Sequence, residues 1–162
     1  MTDWPDLAGR LDGRHHRLPI RVYFEDTDFS GIVYHATYLR FMERGRSDFL
    51  RLFEVHHRDL ADGSYGTPVA FAVKKMTLDF RAPARIDDIL EVDTQLAQIT
   101  AARLTLDQEV RRGEQVLVAA QVEAVVISAD GRPRRLPKPV LERLKPLLPD
   151  AVDGSNELSG RG

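Results

Sequence analysis

Apolar and polar residues alternate along most of this chain, and the stretches where alternation gives way to three- and four-residue spacing mark its helices. Leu18 to Phe24 reads as a first strand, with Ile20 and Val22 on one face and Arg21 and Tyr23 on the other. Between Ala36 and Phe53, the positions Tyr38, Phe41, Met42, Gly45, Phe49, Leu52 and Phe53 form one apolar stripe about five turns long. Arg40, Glu43, Arg44 and Arg46 fall off that stripe, as a solvated face requires. Gly45 lies on it, although glycine costs a helix interior about 1 kcal/mol relative to alanine, so another backbone is expected to approach closely there. Val69, Phe71 and Val73 share one parity and Met76, Leu78 and Phe80 the other, which predicts a bulge at Lys74 and Lys75. Further strands are predicted at Leu90 to Leu96 and at Leu104 to Val110. After a hairpin turn at Arg112-Gly113-Glu114 comes Val116 to Ile127. This last strand is apolar on both parities apart from Gln121 and Glu123, which predicts cover on both faces.

The remaining segments punctuate these elements. Residues 1–17 lack periodicity and read as a loosely ordered arm, and the polar tail from Asp150 to the end reads as disordered. His56 to Asp62 is a short helical connection, and the basic, proline-rich run Arg132 to Pro139 leads into a short helix from Val140 to Leu147. The reading is therefore one α+β domain over residues 18–149, a largely antiparallel sheet folded around a long helix. A hydrophobic fraction of 43% with 30% charged residues is that of a soluble globular protein. A net charge of −2 with both signs interspersed argues against a general nucleic-acid binder. The chain has no cysteine, which removes thiol nucleophiles and disulfides. With neither a spanning apolar run nor a secretory signal, cytoplasmic residence is the default expectation.

Candidate chemistry concentrates between the first strand and the helix. Glu25, Asp26 and Asp28 repel one another within four positions, whereas a plain turn would more often use Asn, Ser or Gly. Asp28 could only brace its turn, or it could serve as a carboxylate catalyst. His35 stands at the helix entrance, where a backbone N–H can donate to a carbonyl oxygen as negative charge develops on it. An ionised Asp28 could attack such a carbonyl to form a mixed anhydride or take a proton from water, and both routes stay open. Lys74, Lys75, Arg81, Arg85, Arg132, Arg134 and Arg135 are candidate contacts for a phosphorylated substrate. The histidines show no metal-ligand spacing such as HExxH, so no metal is expected. No serine lies in GxSxG surroundings, against a serine hydrolase.

The run YFEDTDFSGIVYHATYLRFMERGR, from Tyr23 to Arg46, resembles the signature of hotdog-fold acyl-CoA thioesterases of the 4-hydroxybenzoyl-CoA thioesterase class, and most nearly the Tol-Pal-associated YbgC type. The resemblance implies a five-stranded antiparallel sheet wrapped around a long central helix. It also implies homodimers joined edge to edge, often paired into tetramers, with the site at the dimer interface. It implies hydrolysis of acyl-CoA, or of acyl carrier protein thioesters, without cofactor, and a link to Tol-Pal or phospholipid-metabolism proteins. By the same resemblance Asp28 is the catalytic carboxylate and the His35 amide polarises the carbonyl, with the His35 ring implicated in the YbgC type. Gly31, Val33 and Tyr34 of the motif become substrate-binding positions. Phe24 departs from the pattern, since many relatives carry tyrosine there. Two other readings remain. One is a hydroxyacyl-thioester hydratase or dehydratase, in which Asp and His are five residues apart instead of seven. The other is a non-catalytic module that binds acyl thioesters or a partner.

Overall fold

Six strands form one antiparallel sheet in the computed structural model, which describes residues 8–149. They are β1 (Arg10–Asp12), β2 (His15–Arg21), β3 (Val69–Phe80), β4 (Ile89–Ile99), β5 (Arg103–Arg112) and β6 (Gln115–Ser128), ordered β1-β2-β4-β5-β6-β3 across the sheet. The helices are α1 (Thr37–Leu52), α2 (His57–Asp62) and α3 (Lys138–Leu144). None of them is long and apolar enough to cross a membrane. The predicted tail from Asp150 and the first seven residues of the predicted arm lie outside the described residues.

The helix α1 buries Tyr38, Phe41, Met42, Gly45 and Phe49 against the sheet, as the stripe predicts. Leu52 does not join them and is 38% exposed, while Asp48 is buried in the same helix. The reason lies in the segment read as an arm, whose second half is a β-hairpin of β1 and β2 and adds a sixth strand to the five expected. His16, fully buried on β2, places Nε2 2.7 Å from Asp48 Oδ2, and the Gly9 amide donates to the same oxygen at 2.7 Å. A buried carboxylate is tolerated where such partners replace water. The ordered domain thus starts earlier than residue 18.

Side chains, not a second backbone, crowd Gly45. A Cβ placed there would lie 2.7 Å from Val92 Cγ1 on β4 and 3.2 Å from both Thr94 Oγ1 and Gln108 Nε2. Gln108, buried on β5, donates to the Met42 carbonyl and to Thr94 Oγ1, each at 2.9 Å, and accepts from Arg46 at 3.0 Å. This polar seam separates two apolar clusters, one around Phe41 and Val92, the other around Phe49 and Leu106. It also half-buries Arg46, which the sequence reading placed on the solvated face.

The β3 register shifts between Val73 and Lys75, the bulge that the parity change predicts. The strand pairs with β6 on one side and ends the sheet on the other. The second face of β6 is less covered than predicted, because Ala119, Val125 and Ile127 on it are only half-buried and Gln121 is exposed.

Gly45→Ala tests the crowding. Alanine would gain up to about 1 kcal/mol of helix propensity, but overpacking against Val92 should cost about 1 to 3 kcal/mol. A lower melting temperature is expected, and an unchanged or higher one would contradict the close approach.

Candidate active site

A hairpin joins β2 to α1. The chain leaves β2 through a 3-10 turn, Phe24–Asp26, in which the buried Asp26 accepts the Tyr23 amide on Oδ2 at 2.8 Å. One of the three clustered carboxylates is therefore a cap. Next, the Tyr34 amide donates to the Asp26 carbonyl at 2.9 Å, Thr27 faces Val33 in an antiparallel bridge, and the Asp28 amide donates to the Ile32 carbonyl at 2.9 Å. The Gly31 amide closes the tip on the Asp28 carbonyl at 3.0 Å. Gly31 has φ +78°, a left-handed conformation that favours glycine. The returning limb is pinned from outside by the Val33 amide on the Ala84 carbonyl at 2.8 Å, and the Ala84 amide donates to the Tyr38 hydroxyl at 3.1 Å. Seven residues of sequence thus fold back on themselves, and Asp28 stands beside the limb that feeds α1.

The Asp28 side chain is exposed, and both of its close hydrogen bonds fall on one oxygen. Oδ1 accepts the Ser30 hydroxyl at 2.5 Å and the Ser30 amide at 2.9 Å, and the Ile32 amide adds a weaker interaction with the carboxylate. The Ser30 hydroxyl first, then the Ser30 amide, hold the carboxyl below its ordinary range, with smaller contributions in the same direction from the Ile32 amide and then the charge of His35. The carboxylate is ionised at neutral pH. Asp28 does brace its turn, and it stays exposed to solvent while doing so.

The helix start is equally open. Ala36 is the N-cap of α1 and His35 precedes it, and neither amide has a hydrogen-bond partner among the described residues, whereas the next, of Thr37, is satisfied by the Tyr34 carbonyl at 2.8 Å. Unpaired amides at a helix N-terminus form a positive end suited to an oxyanion. The His35 ring packs on Tyr34 at 4.6 Å between centroids and meets Phe80 edge-on at 6.3 Å. Beside it opens a groove of about 320 Å³ lined by Val33, His35, Tyr38, Phe80, Ala82 and Pro83. Ionised oxygen, amide donor and apolar wall therefore lie around one end of the sheet.

Of the predicted positions, Asp28, Gly31, Val33, Tyr34 and His35 come together in this hairpin. Val33 is buried beneath it and Tyr34 is half-exposed on it. Arg81 lines the groove, with Nε donating to Asp79 at 2.8 Å. Arg85 faces Ile32 of the hairpin in an antiparallel bridge, and the other five basic candidates are elsewhere, Arg135 directly after Arg134. Lys74 and Lys75 are exposed at the β3 bulge, with Lys75 roughly 17 Å along the strand from Phe80. Arg132 and Arg134 follow β6, and because Val69 pairs with Ser128 they sit at the opposite end of β3 from the hairpin. Sequence reading overlooked Ser30 as the anchor of Asp28, although an Asp followed two residues later by a residue with a free amide is the spacing of an Asx turn. It also overlooked Phe80 as a wall, which only the fold brings to His35.

The family model of the thioesterase-like superfamily matches residues 22–148. The acyl-CoA thioester hydrolase YbgC of Escherichia coli O157:H7 is 39% identical over 132 residues, which span 80% of this chain and 95% of that protein. Among solved structures, the probable thioesterase from Bartonella henselae aligns with a TM-score of 0.74 at 46% identity, covering 76% of this chain and 99% of its own. A 1,4-dihydroxy-2-naphthoyl-CoA thioesterase from Synechocystis aligns with a TM-score of 0.73 at 27% identity, covering 82% and 97%. The chain belongs to the thioesterase-like superfamily, and its sheet and helix are those of the hotdog fold.

Ser30→Ala removes the larger restraint on the Asp28 carboxyl. The Asp28 side-chain titration, followed by carbon NMR, is expected to move up toward the ordinary aspartate range in this variant. An unmoved midpoint would show that Ser30 does not hold the carboxylate.

Proposed function

We propose that this protein hydrolyses acyl-CoA to free acid and CoA, with Asp28 as the carboxylate catalyst and the His35 amide as the donor that polarises the thioester carbonyl. The observation that carries this reading is the hairpin, which holds an exposed, ionised Asp28 beside the limb that leads to α1, where the His35 and Ala36 amides have no partner among the described residues and His35 lines an apolar groove. The similarity to YbgC supports the substrate class.

The chemistry needs little more than these groups. Sulfur donates less resonance to its carbonyl than oxygen does, and a thiolate departs without help from a strong acid. In one route Asp28 Oδ2 attacks the carbonyl carbon, the C–S bond breaks with its electron pair on the CoA sulfur, and water hydrolyses the resulting anhydride. In the other, Asp28 takes a proton from the water that attacks. Negative charge grows on the carbonyl oxygen in both, and a single preorganised amide there contributes on the order of a hundredfold or more in rate. No cofactor enters either route. Acyl carrier protein could stand in for CoA, since the reacting thioester is the same.

A homodimer completes the proposal. The outer edge of β3 carries unpaired backbone groups along twelve residues, and Val73 and Phe80 beside it are about half exposed. An edge of that length is a template for another strand. Antiparallel pairing of two β3 edges would carry Arg132 and Arg134 of one copy toward the hairpin of the other, where a nucleotide phosphate could meet them, while Lys74 and Lys75 stay near the twofold axis.

Asp28→Asn is expected to lower kcat for CoA release by about 10²- to 10⁴-fold, measured with a thiol reagent. The parent rate should stay flat from neutral pH downward and fall only below the ordinary aspartate range, because protonation disables a carboxylate whose pKa is depressed. Equal rates in parent and variant would remove Asp28 from the reaction, and a hydrated, uncleaved product would point to the hydratase chemistry instead.

A further inference from the structure

The loop from β3 to β4, residues 81–88, borders both the hairpin and the start of α1. Its ends are held by neighbouring strands. The Arg81 and Ala82 amides donate to the Leu117 carbonyl on β6 at 2.8 and 3.2 Å, and at the far end the Val22 amide donates to the Asp88 carbonyl while the Asp87 amide donates to that of Val22, each at 2.9 Å. Asp88 Oδ2 also accepts the Arg85 amide at 2.9 Å and the Arg112 guanidinium at 2.7 Å. Between these anchors Ala84 is fully buried and spends both of its backbone groups on the site. Its carbonyl accepts the Val33 amide at 2.8 Å, and its amide donates to the Tyr38 hydroxyl at 3.1 Å.

Those two bonds close a ring. Val33 and Tyr38 bound the segment 33–38, and inside it lie the His35 and Ala36 amides, which have no partner among the described residues. A donor kept free for an oxyanion is not fixed by a hydrogen bond of its own, so its position has to come from its neighbours. Here both ends of the segment are tied to one residue, Ala84. The Tyr38 side chain suits that task, being only 3% exposed, with its ring edge-on to Phe41 at 6.0 Å and against Phe80 at the same distance. These contacts leave the hydroxyl little freedom, and burial holds it above the ordinary tyrosine range, so it keeps its proton. The Ala84 amide, shut off from water, needs an acceptor there.

We infer that Tyr38 is a positioning residue for thioester cleavage, whose hydroxyl fixes Ala84 so that the returning limb of the hairpin and the start of α1 together hold the His35 amide in line with the carbonyl oxygen. The inference rests on the acyl-CoA reading. A misplacement of about 1 Å caused far from the reacting atoms can cost on the order of a hundredfold in rate, because alignment is lost while binding is kept. Phenylalanine in place of Tyr38 retains the ring and drops only the acceptor, which leaves the Ala84 amide unpaired and its carbonyl free to move off Val33. Two other roles compete with this one. The first is direct contact with substrate, since Tyr38 also lines the groove beside His35. The second is support of the fold alone, in which case loss of the hydroxyl loosens the sheet as a whole.

The test compares the full-length parent with Tyr38→Phe in two measurements. Backbone amide hydrogen exchange, which needs no substrate, is expected to show protection at Ala84 and Val33 reduced by about tenfold or more, with amides in the middle of β4 and β5 unchanged. Steady-state CoA release is followed with whichever of acetyl-, hexanoyl- and benzoyl-CoA the parent cleaves fastest. There kcat is expected to fall by about ten- to a hundredfold, with KM within about twofold of the parent. An unchanged kcat, or a loss confined to KM, would overturn the inference. So would a fall in kcat with Val33 still protected, which makes the hydroxyl a direct contact of the substrate. A uniform loss of protection across the sheet would overturn it as well, because the role is then support of the fold. Failure of the underlying reading looks different, because Asp28→Asn would then release CoA as fast as the parent, whatever the outcome for Tyr38→Phe.

Discussion

The Tyr34 amide donating to the Asp26 carbonyl, followed across the hairpin by the Asp28 amide on Ile32, is the constraint on which the remainder of the structure depends. It converts a separation along the chain into adjacency in space. Without it, Asp28 would belong to an ordinary loop and the amides preceding α1 to an ordinary helix end. With it, a carboxylate anchored through Ser30 and a pair of free donors are built into one rigid connection. The buried cap at Asp26 and the contacts to Ala84 serve that connection from below, so the acidic cluster divides between a buried carboxylate that holds the bend and an exposed one at its tip.

Much of this was legible beforehand, and the reasons are local. Three- and four-residue spacing exposed α1, a parity change exposed the β3 bulge, and a costly run of carboxylates next to glycine marked the hairpin. What escaped the sequence depended on residues far apart. β1 and the start of β2 were hidden because the buried residue at their centre is a histidine, and His16 makes sense inside only with Asp48, thirty-two positions away. The same pairing explains why Asp48 is buried while Leu52 stays exposed. The environment of Gly45 was equally out of reach, since Val92, Thr94 and Gln108 come from two strands far along the chain. The basic candidates fared worst, because flexible cations carry no periodicity, and five of the seven lie away from the hairpin within one copy.

The long axis of the molecule therefore matters to function. One end of β3 closes the groove beside His35, the middle is broken by the bulge, and the other end leads to the arginines after β6. A chain used alone would leave these features unconnected. Pairing through the free edge, as the proposed homodimer requires, would bring the arginines after β6 of one copy toward the hairpin of its partner.

The most direct measurement of the central claim follows the backbone amides of the protein on addition of a ketone analogue of acyl-CoA, in which a methylene replaces the thioester sulfur and keeps the carbonyl uncleaved. The account predicts a downfield shift of the His35 amide proton on binding, the mark of a new hydrogen bond to the carbonyl oxygen, together with changes at Asp28 and Ser30. Saturable binding that perturbs other surfaces and leaves the His35 amide where it was would contradict it.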